Sequence, residues 1–294
     1  METLSKERQQ VVENIKEALA EGNTFAKVEL HDPVLTDEDI KRVVLPFDNE
    51  RRGLLAHARA FFARKLAEKL TVKVNANTTV YGVENLADVK GGAIVTSNHY
   101  NPTDSTPIRI AAETVGRGKG LHIVVQESNV FMKGLFGFLM RNANTHPVSK
   151  NKEYMVKNLR PSLERIVADG NLLLIYPEQE MWWNYKKPRE LRDGAYHYAA
   201  LFGCPIIPTF TEMITLDGER DKDGFLPVKH VLHIMPPIYP SAELSVRENR
   251  VMMQKRDHEL RLAKYREVYG REPSDDFLPE RDIAGISADT LRYE

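Results

Sequence analysis

The run Gly92-Ala-Ile-Val-Thr-Ser97, followed at once by Asn98-His-Tyr-Asn-Pro-Thr-Asp104, decides how this chain folds. A short apolar run rich in β-branched residues, bounded by glycine and a polar loop, reads as a strand buried on both faces. Asn101 is a good helix N-cap and Pro102 a good first helical residue, so the loop should pass directly into a helix. That places Asp104 in the first helical turn and His99 in the loop before it. In parallel α/β sheets ligands collect outside the carboxyl ends of the strands, where this segment lies.

On the C-terminal side, strands and helices alternate. Leu121 to Gln126 is strand-like, Met155 to Ala168 helical, and Leu172 to Tyr176 a buried strand. Gly194 to Phe202 is helical, Pro205 to Phe210 and Val228 to Met235 are strands, and Ser241 to Tyr269 forms a long closing helix. Gly270 onward is polar, with Pro273 and Pro279, and reads as an irregular tail. On the N-terminal side, residues 4–21 have helical periodicity through Val11, Val12, Ile15 and Leu19, and Thr36 opens a short helix over Asp37 to Val44. Residues 51–70 form a stronger helix with Leu54, Leu55, Ala58, Phe61, Phe62, Leu66 and Leu70 on one side, and the period changes to two near residue 71. The pattern predicts an α/β fold with a mixed, largely parallel sheet covered by helices and an N-terminal helical segment. The expected divisions are 1–70 (helical, membrane-contacting), 71–240 (the α/β domain) and 241–294 (closing helix and tail).

The chain has 294 residues, 42 % of them hydrophobic and 28 % charged, with a net charge of −1. That balance fits a core-forming protein and gives no nucleic-acid footprint. A single cysteine, Cys204, excludes an internal disulfide and fits a reducing compartment. The N-terminus has no secretory signal, and no apolar run approaches the ~18 residues a spanning helix needs, so membrane contact should be peripheral.

His99 and Asp104 together suggest chemistry. A carboxylate that accepts a hydrogen bond from one imidazole nitrogen leaves the other free to take a proton, which is the His–Asp half of a triad with a substrate hydroxyl in the serine's place. A capping aspartate beside a hydrogen-bonded loop histidine fits the same residues. Other signals fall away. Glu219-x-Asp221-x-Asp223-Gly224 lacks the acidic twelfth position of a calcium loop and reads as a hairpin turn. Gly116-Arg-Gly-Lys-Gly120 lacks phosphate-loop spacing. His230 and His233 face opposite sides of a strand, so no metal site is expected. No Gly-x-Ser-x-Gly elbow marks a serine hydrolase.

Asn98-His99-x4-Asp104 resembles the first motif of the glycerolipid acyltransferase family, the bacterial lysophosphatidic acid acyltransferases and their relatives. Gly134-Leu-Phe-Gly137 with Pro147-Val-Ser-Lys150 resembles the second motif, Tyr176-Pro-Glu178 the third, and Cys204-Pro-Ile-Ile-Pro208 the fourth. The likeness spans about residues 55–240. It implies that His99 deprotonates an acceptor hydroxyl, oriented by Asp104, and that the hydroxyl attacks an acyl-CoA or acyl-carrier-protein thioester with no covalent enzyme intermediate. It also implies that Glu178 and Lys150 line the acceptor site, with Asn98 and Tyr176 beside them. No cofactor is implied beyond the thioester co-substrate, and Cys204 becomes a core residue.

The third motif departs from its relatives. They usually continue Pro-Glu-Gly-Thr/Ser-Arg, whereas this chain reads Pro177-Glu178-Gln179-Glu180-Met181. The second usually ends in an arginine that contacts the acceptor phosphate, and here Lys150 stands there as a point charge without a bidentate fork. A lysolipid or glycerol-phosphate-type acceptor is expected, and both departures weaken a phosphate-reading pocket. Arg141 either supplies missing positive charge or is a surface residue.

Two features lean toward a membrane. Arg51, Arg52, Arg59, Arg64, Lys65, Lys69 and Lys73 face the single acid Glu68, and a basic helix with Leu and Phe on one side can lie at an anionic lipid surface. The same helix can equally pack its apolar face on the core. Trp182-Trp183-Asn-Tyr185-Lys-Lys187 can sit at headgroup level, wall the acceptor pocket or pack in the core. The sequence thus predicts an enzyme of phospholipid synthesis in the cytoplasm, peripheral to the inner face of the membrane. Its rivals are a non-catalytic lipid-binding or tethering protein on the same fold and a thioesterase-like hydrolase.

Overall fold

The structure is a computed structural model and describes residues 4–30, 33–47, 51, 53–274 and 276–287. The strand predicted after Gly92 is β2 (Ala93–Thr96), buried at every position. It lies at the middle of a seven-stranded sheet with β1 (Thr79–Tyr81), β3 (Leu121–Gln126), β4 (Thr145–Val148), β5 (Leu172–Ile175), β6 (Ile206–Thr215) and β7 (Val228–Ile234), in the order β1-β7-β6-β2-β5-β3-β4. β6 and β7 form an antiparallel hairpin, and every other neighbouring pair is parallel.

The longer helices are α1 (Lys6–Ala20), α2 (Leu54–Val74), α3 (Ser105–Thr114), α4 (Gly134–Asn142), α5 (Arg160–Ala168), α6 (Gly194–Phe202) and α7 (Val246–Tyr269). Alternation along the central strands feeds two cores. Ile94, Leu173 and Ile206 pack on one face with Leu163 and Ile166 of α5, Ala195, Tyr196 and Ala199 of α6, and Met253 of α7. Ala93, Val95, Leu172, Leu174 and Ile207 pack on the other with Ile108, Ala111 and Ala112 of α3. A fully buried polar clamp ties α7 to β2. Asp257 accepts hydrogen bonds from Thr96 Oγ1 (2.6 Å), Tyr196 Oη (2.7 Å) and Arg261 Nε (2.6 Å), so the strand that delivers His99 is anchored three residues upstream.

Several local expectations change. The helix over 51–70 runs on to Val74, so Val72 and Val74 are helical. The last Ser241–Tyr269 element begins at Val246, behind a Ser245–Glu248 capping box. The polar tail is packed in: Ile283 and Ile286 join Val11, Val12 and Ile15 of α1 in one cluster around Trp182 and Tyr185. That cluster also settles the Trp182–Lys187 segment as core. Trp182 is 0 % exposed, and Lys187 pairs with Asp282 at 3.0 Å under the tail. The tail's few apolar residues carry no periodicity, and that is why it reads as irregular in sequence. In the second-motif stretch, Gly137 is needed for close approach, because a Cβ there would lie 1.7 Å from the Met132 carbonyl oxygen.

Three half- to fully buried histidines make the fold acid-sensitive. His122 and His230 are pushed down to about 4 and His146 well below its usual range, in each case chiefly by burial, which disfavours the charged imidazolium. The unfolded chain takes up these protons near pH 6.5 while the folded chain resists until about pH 4, so stability falls as pH drops through that window. By pH 5 we expect a loss of up to about 2 kcal/mol per histidine. Urea midpoints at pH 7.5 and 5.0 measure it, and His230→Gln should make the pH dependence shallower.

Candidate active site

β2 ends in a polar turn that throws His99 out at the carboxyl edge of the sheet. Asn98 fixes the turn from below: its side chain accepts from the Thr211 N–H (2.8 Å) and donates to the Thr211 carbonyl (3.1 Å) on β6. It is 2 % exposed, so it supports the loop and does not face the acceptor space as expected. The helix after the loop starts later than predicted. Asn101 Oδ1 takes the Thr103 N–H and hydroxyl, closing a separate turn, and α3 begins at Ser105 with Asp104 in the N-cap position.

Asp104 does not cap the helix; its carboxylate turns back to the histidine. His99 Nδ1 lies 2.6 Å from Asp104 Oδ2, which also accepts the Tyr100 N–H at 3.1 Å. The other oxygen, Oδ1, accepts the Tyr176 hydroxyl at 2.6 Å. The first turn of α3 begins at the next residue, and its partial positive charge favours a carboxylate there. Tyr176 also stacks on the imidazole, with ring centroids 4.2 Å apart and 19° between planes. Burial, followed by the neighbouring Asp104 charge, raises the Tyr176 phenol well above its usual range, so it remains a donor. The sequence set Tyr176 beside the acceptor; the structure makes it the second brace of Asp104 and a wall of the imidazole. With Nδ1 engaged, the tautomer that suits this network carries its proton on Nδ1 and leaves Nε2 as an acceptor. The His99 side chain is 23 % exposed, enough for a substrate to reach it.

The third-motif segment wraps the same histidine. Glu178 Oε2 accepts the His99 N–H at 3.1 Å, and the Trp182 N–H donates to the His99 carbonyl at 3.1 Å. Glu178 is nonetheless turned inward. It is 2 % exposed and pairs with Arg189 Nη2 at 3.0 Å, which corrects its expected place on the acceptor wall. A buried carboxylate needs such a cation and such a donor, and both are supplied from within the protein. Arg189 also donates to the carbonyls of Thr24 (2.9 Å) and Glu180 and lies over the Trp182 ring. No motif spacing announces this arginine; only the buried Glu178 would have asked for one.

Arg141 and Lys150 stand apart. Arg141 is half-buried, and its Nη1 donates to the Val130 and Met132 carbonyls, both at 2.9 Å, so it staples a turn. Lys150 is exposed just beyond β4, three strands from β2 and hence about 14 Å to the side at ordinary strand spacing. Between them and His99 stand Gln126, at the end of β3, and Glu180, joined by a 2.8 Å hydrogen bond that the sequence did not reveal. Among the described residues no cluster of metal-ligating side chains occurs.

This geometry can take a proton from a hydroxyl at Nε2 and hold the resulting imidazolium against a carboxylate. The acyltransferase family model matches residues 77–212, which include β2, the His99 loop, the third-motif segment and most of β6. Among solved structures, the chain is similar to the 1-acyl-sn-glycerophosphate (LPA) acyltransferase PlsC from Thermotoga maritima, with 16 % identity and a TM-score of 0.50, over 89 % of this chain and 100 % of that one. At that identity the likeness concerns the fold. No curated protein matches the chain.

Proposed function

We propose that the protein, whose residues 77–212 match the acyltransferase family model, moves a fatty acyl group from acyl-CoA or acyl-carrier protein to a hydroxyl of a lysolipid-type acceptor, with His99 as general base. The observation that carries this reading is the 2.6 Å contact between His99 Nδ1 and Asp104 Oδ2 at an accessible strand exit. His99 Nε2 takes the hydroxyl proton as the oxygen attacks the thioester carbonyl. The tetrahedral centre collapses with cleavage of the C–S bond, and the proton passes from the imidazolium to the departing sulfur. Ester and free thiol result, with no acyl group on the protein. Asp104 keeps the ring oriented and offsets its transient charge, while Tyr176 and the Tyr100 N–H hold Asp104. Incubation with a palmitoyl thioester and a lysolipid, followed by mass spectrometry, should show the lysolipid gaining one acyl group; its mass unchanged under all donors would defeat the proposal.

The enzyme is further proposed to work at a membrane surface. No described helix is long and apolar enough to cross a membrane. α2 instead divides its apolar residues: Leu66 and Leu70 pack toward Leu139 of α4, whereas Leu54 (92 % exposed), Leu55, Phe61 and Phe62 (66 %) face outward with Arg59 nearby. Leu135 of α4 is likewise exposed. Arg52, counted among the basic residues, lies outside the described residues. Outward Phe and Leu beside cations suit the boundary of an anionic bilayer. Phe61→Ser with Phe62→Ser should lower co-sedimentation with anionic vesicles by about tenfold or more while leaving helicity unchanged. Undiminished sedimentation would remove α2 as the contact.

A further inference from the structure

We infer that Glu180 selects the acceptor: a lysolipid whose group beside the reacting hydroxyl is uncharged and rich in hydrogen-bond donors, such as a free glycerol or sugar head, and not a phosphate monoester. The inference rests on the acyl-transfer reading and deepens it.

The segment 178–182 is fastened to the His99 main chain at both ends, by Glu178 on the His99 N–H and by Trp182 on the His99 carbonyl. Glu180 is the midpoint of that span, and its bond to Gln126 at the end of β3 sets it on the same carboxyl edge of the sheet as His99. Unlike Glu178 it is only half buried, and the cation beside it, Arg189, makes its ion pair with Glu178 instead. Its Oε1 accepts from Gln126 Nε2 (2.8 Å) and Gln179 Nε2 (3.3 Å). Two amides therefore hold the carboxylate in place without cancelling its charge. Gln179 does so from a left-handed backbone (φ 67°), where glycine is the easy residue and a side chain carries strain.

The cations that could have balanced an anionic head are committed elsewhere. Arg189 is closed against Glu178, and Arg141 is held at the Val130 and Met132 carbonyls. Lys187 lies under the tail with Asp282, and Lys150 is at the far strand. A phosphate monoester there would meet the Glu180 carboxylate, and the fixed cation beside it, Arg189, is already paired with Glu178. Hydroxyl donors would instead find a ready acceptor in the Glu180 carboxylate. Charge repulsion of this kind discriminates between acceptors more strongly than a missing contact does.

The test compares 1-monoacylglycerol with 1-acylglycerol 3-phosphate of the same chain, using palmitoyl-CoA as donor. The wild type should favour monoacylglycerol in kcat/KM by about tenfold or more. Glu180→Gln should narrow the ratio at least about threefold through a lower KM for the phosphate acceptor, and Glu180→Arg should narrow it further. A parallel arm measures binding of both lipids to the His99→Ala protein, which should hold monoacylglycerol more tightly. A wild type that prefers the phosphate acceptor, or a ratio untouched by Glu180→Gln, overturns the inference. If neither acceptor is turned over with palmitoyl-CoA, the binding arm decides: tighter monoacylglycerol upholds the head-group preference, and equal or reversed binding ends it.

Discussion

His99→Ala is expected to lower kcat for acyl transfer by about 10²–10⁴-fold, the range a positioned general base supplies. The loss should fall on kcat and kcat/KM alike, because the imidazole acts on a proton that moves only in the transition state. Folding should survive. The ring is partly exposed, and the loop is held by its main chain, through Glu178 on the N–H and Trp182 on the carbonyl, neither of which needs the side chain. A matching urea midpoint with lost turnover would assign the defect to chemistry. Near-normal turnover would mean that another group takes the proton.

Asp104→Asn should cost about 10³-fold or more, by the same logic that governs His–Asp pairs in triads. The geometry predicts how. Asp104 Oδ2 takes both the His99 nitrogen and the Tyr100 N–H, so an asparagine would present its oxygen there to keep two partners. Its amide would then face Tyr176, whose hydroxyl must turn from donor to acceptor. The ring orientation can survive that exchange, but the negative charge that stabilises the imidazolium cannot. The variant should therefore keep near-normal acceptor binding while kcat collapses. Combining it with Tyr176→Phe should add little, since the brace no longer has a charge to hold.

The fold was largely legible because its central strands are short, β-branched and bounded by turn residues. β2, β3 and β5 stand close to where the pattern put them. What failed was whatever depended on partners distant in sequence. Trp182 and Lys187 look interfacial as a string, but Leu4, Ile15 and Ile283 cover them from both ends of the chain. Glu178 looks like a binding carboxylate until Arg189 closes on it. Asn98 and Arg141 are polar residues consumed by main-chain groups, which spacing cannot foresee. Conversely, α2 reads as one apolar face, yet packing against α4 splits it into an inner and an outer set. His99 and Asp104 were found because their five-residue separation spans a single turn, so local geometry alone brings them together.

One measurement bears most directly on the claim that His99 activates a lipid hydroxyl for direct attack on a thioester: thiol release from palmitoyl-CoA, followed with and without a lysolipid acceptor. Release should rise with acceptor concentration, stay near background without it, and disappear in His99→Ala. Release at the same rate with no acceptor present would contradict that claim, because water would then be the nucleophile and the protein a hydrolase.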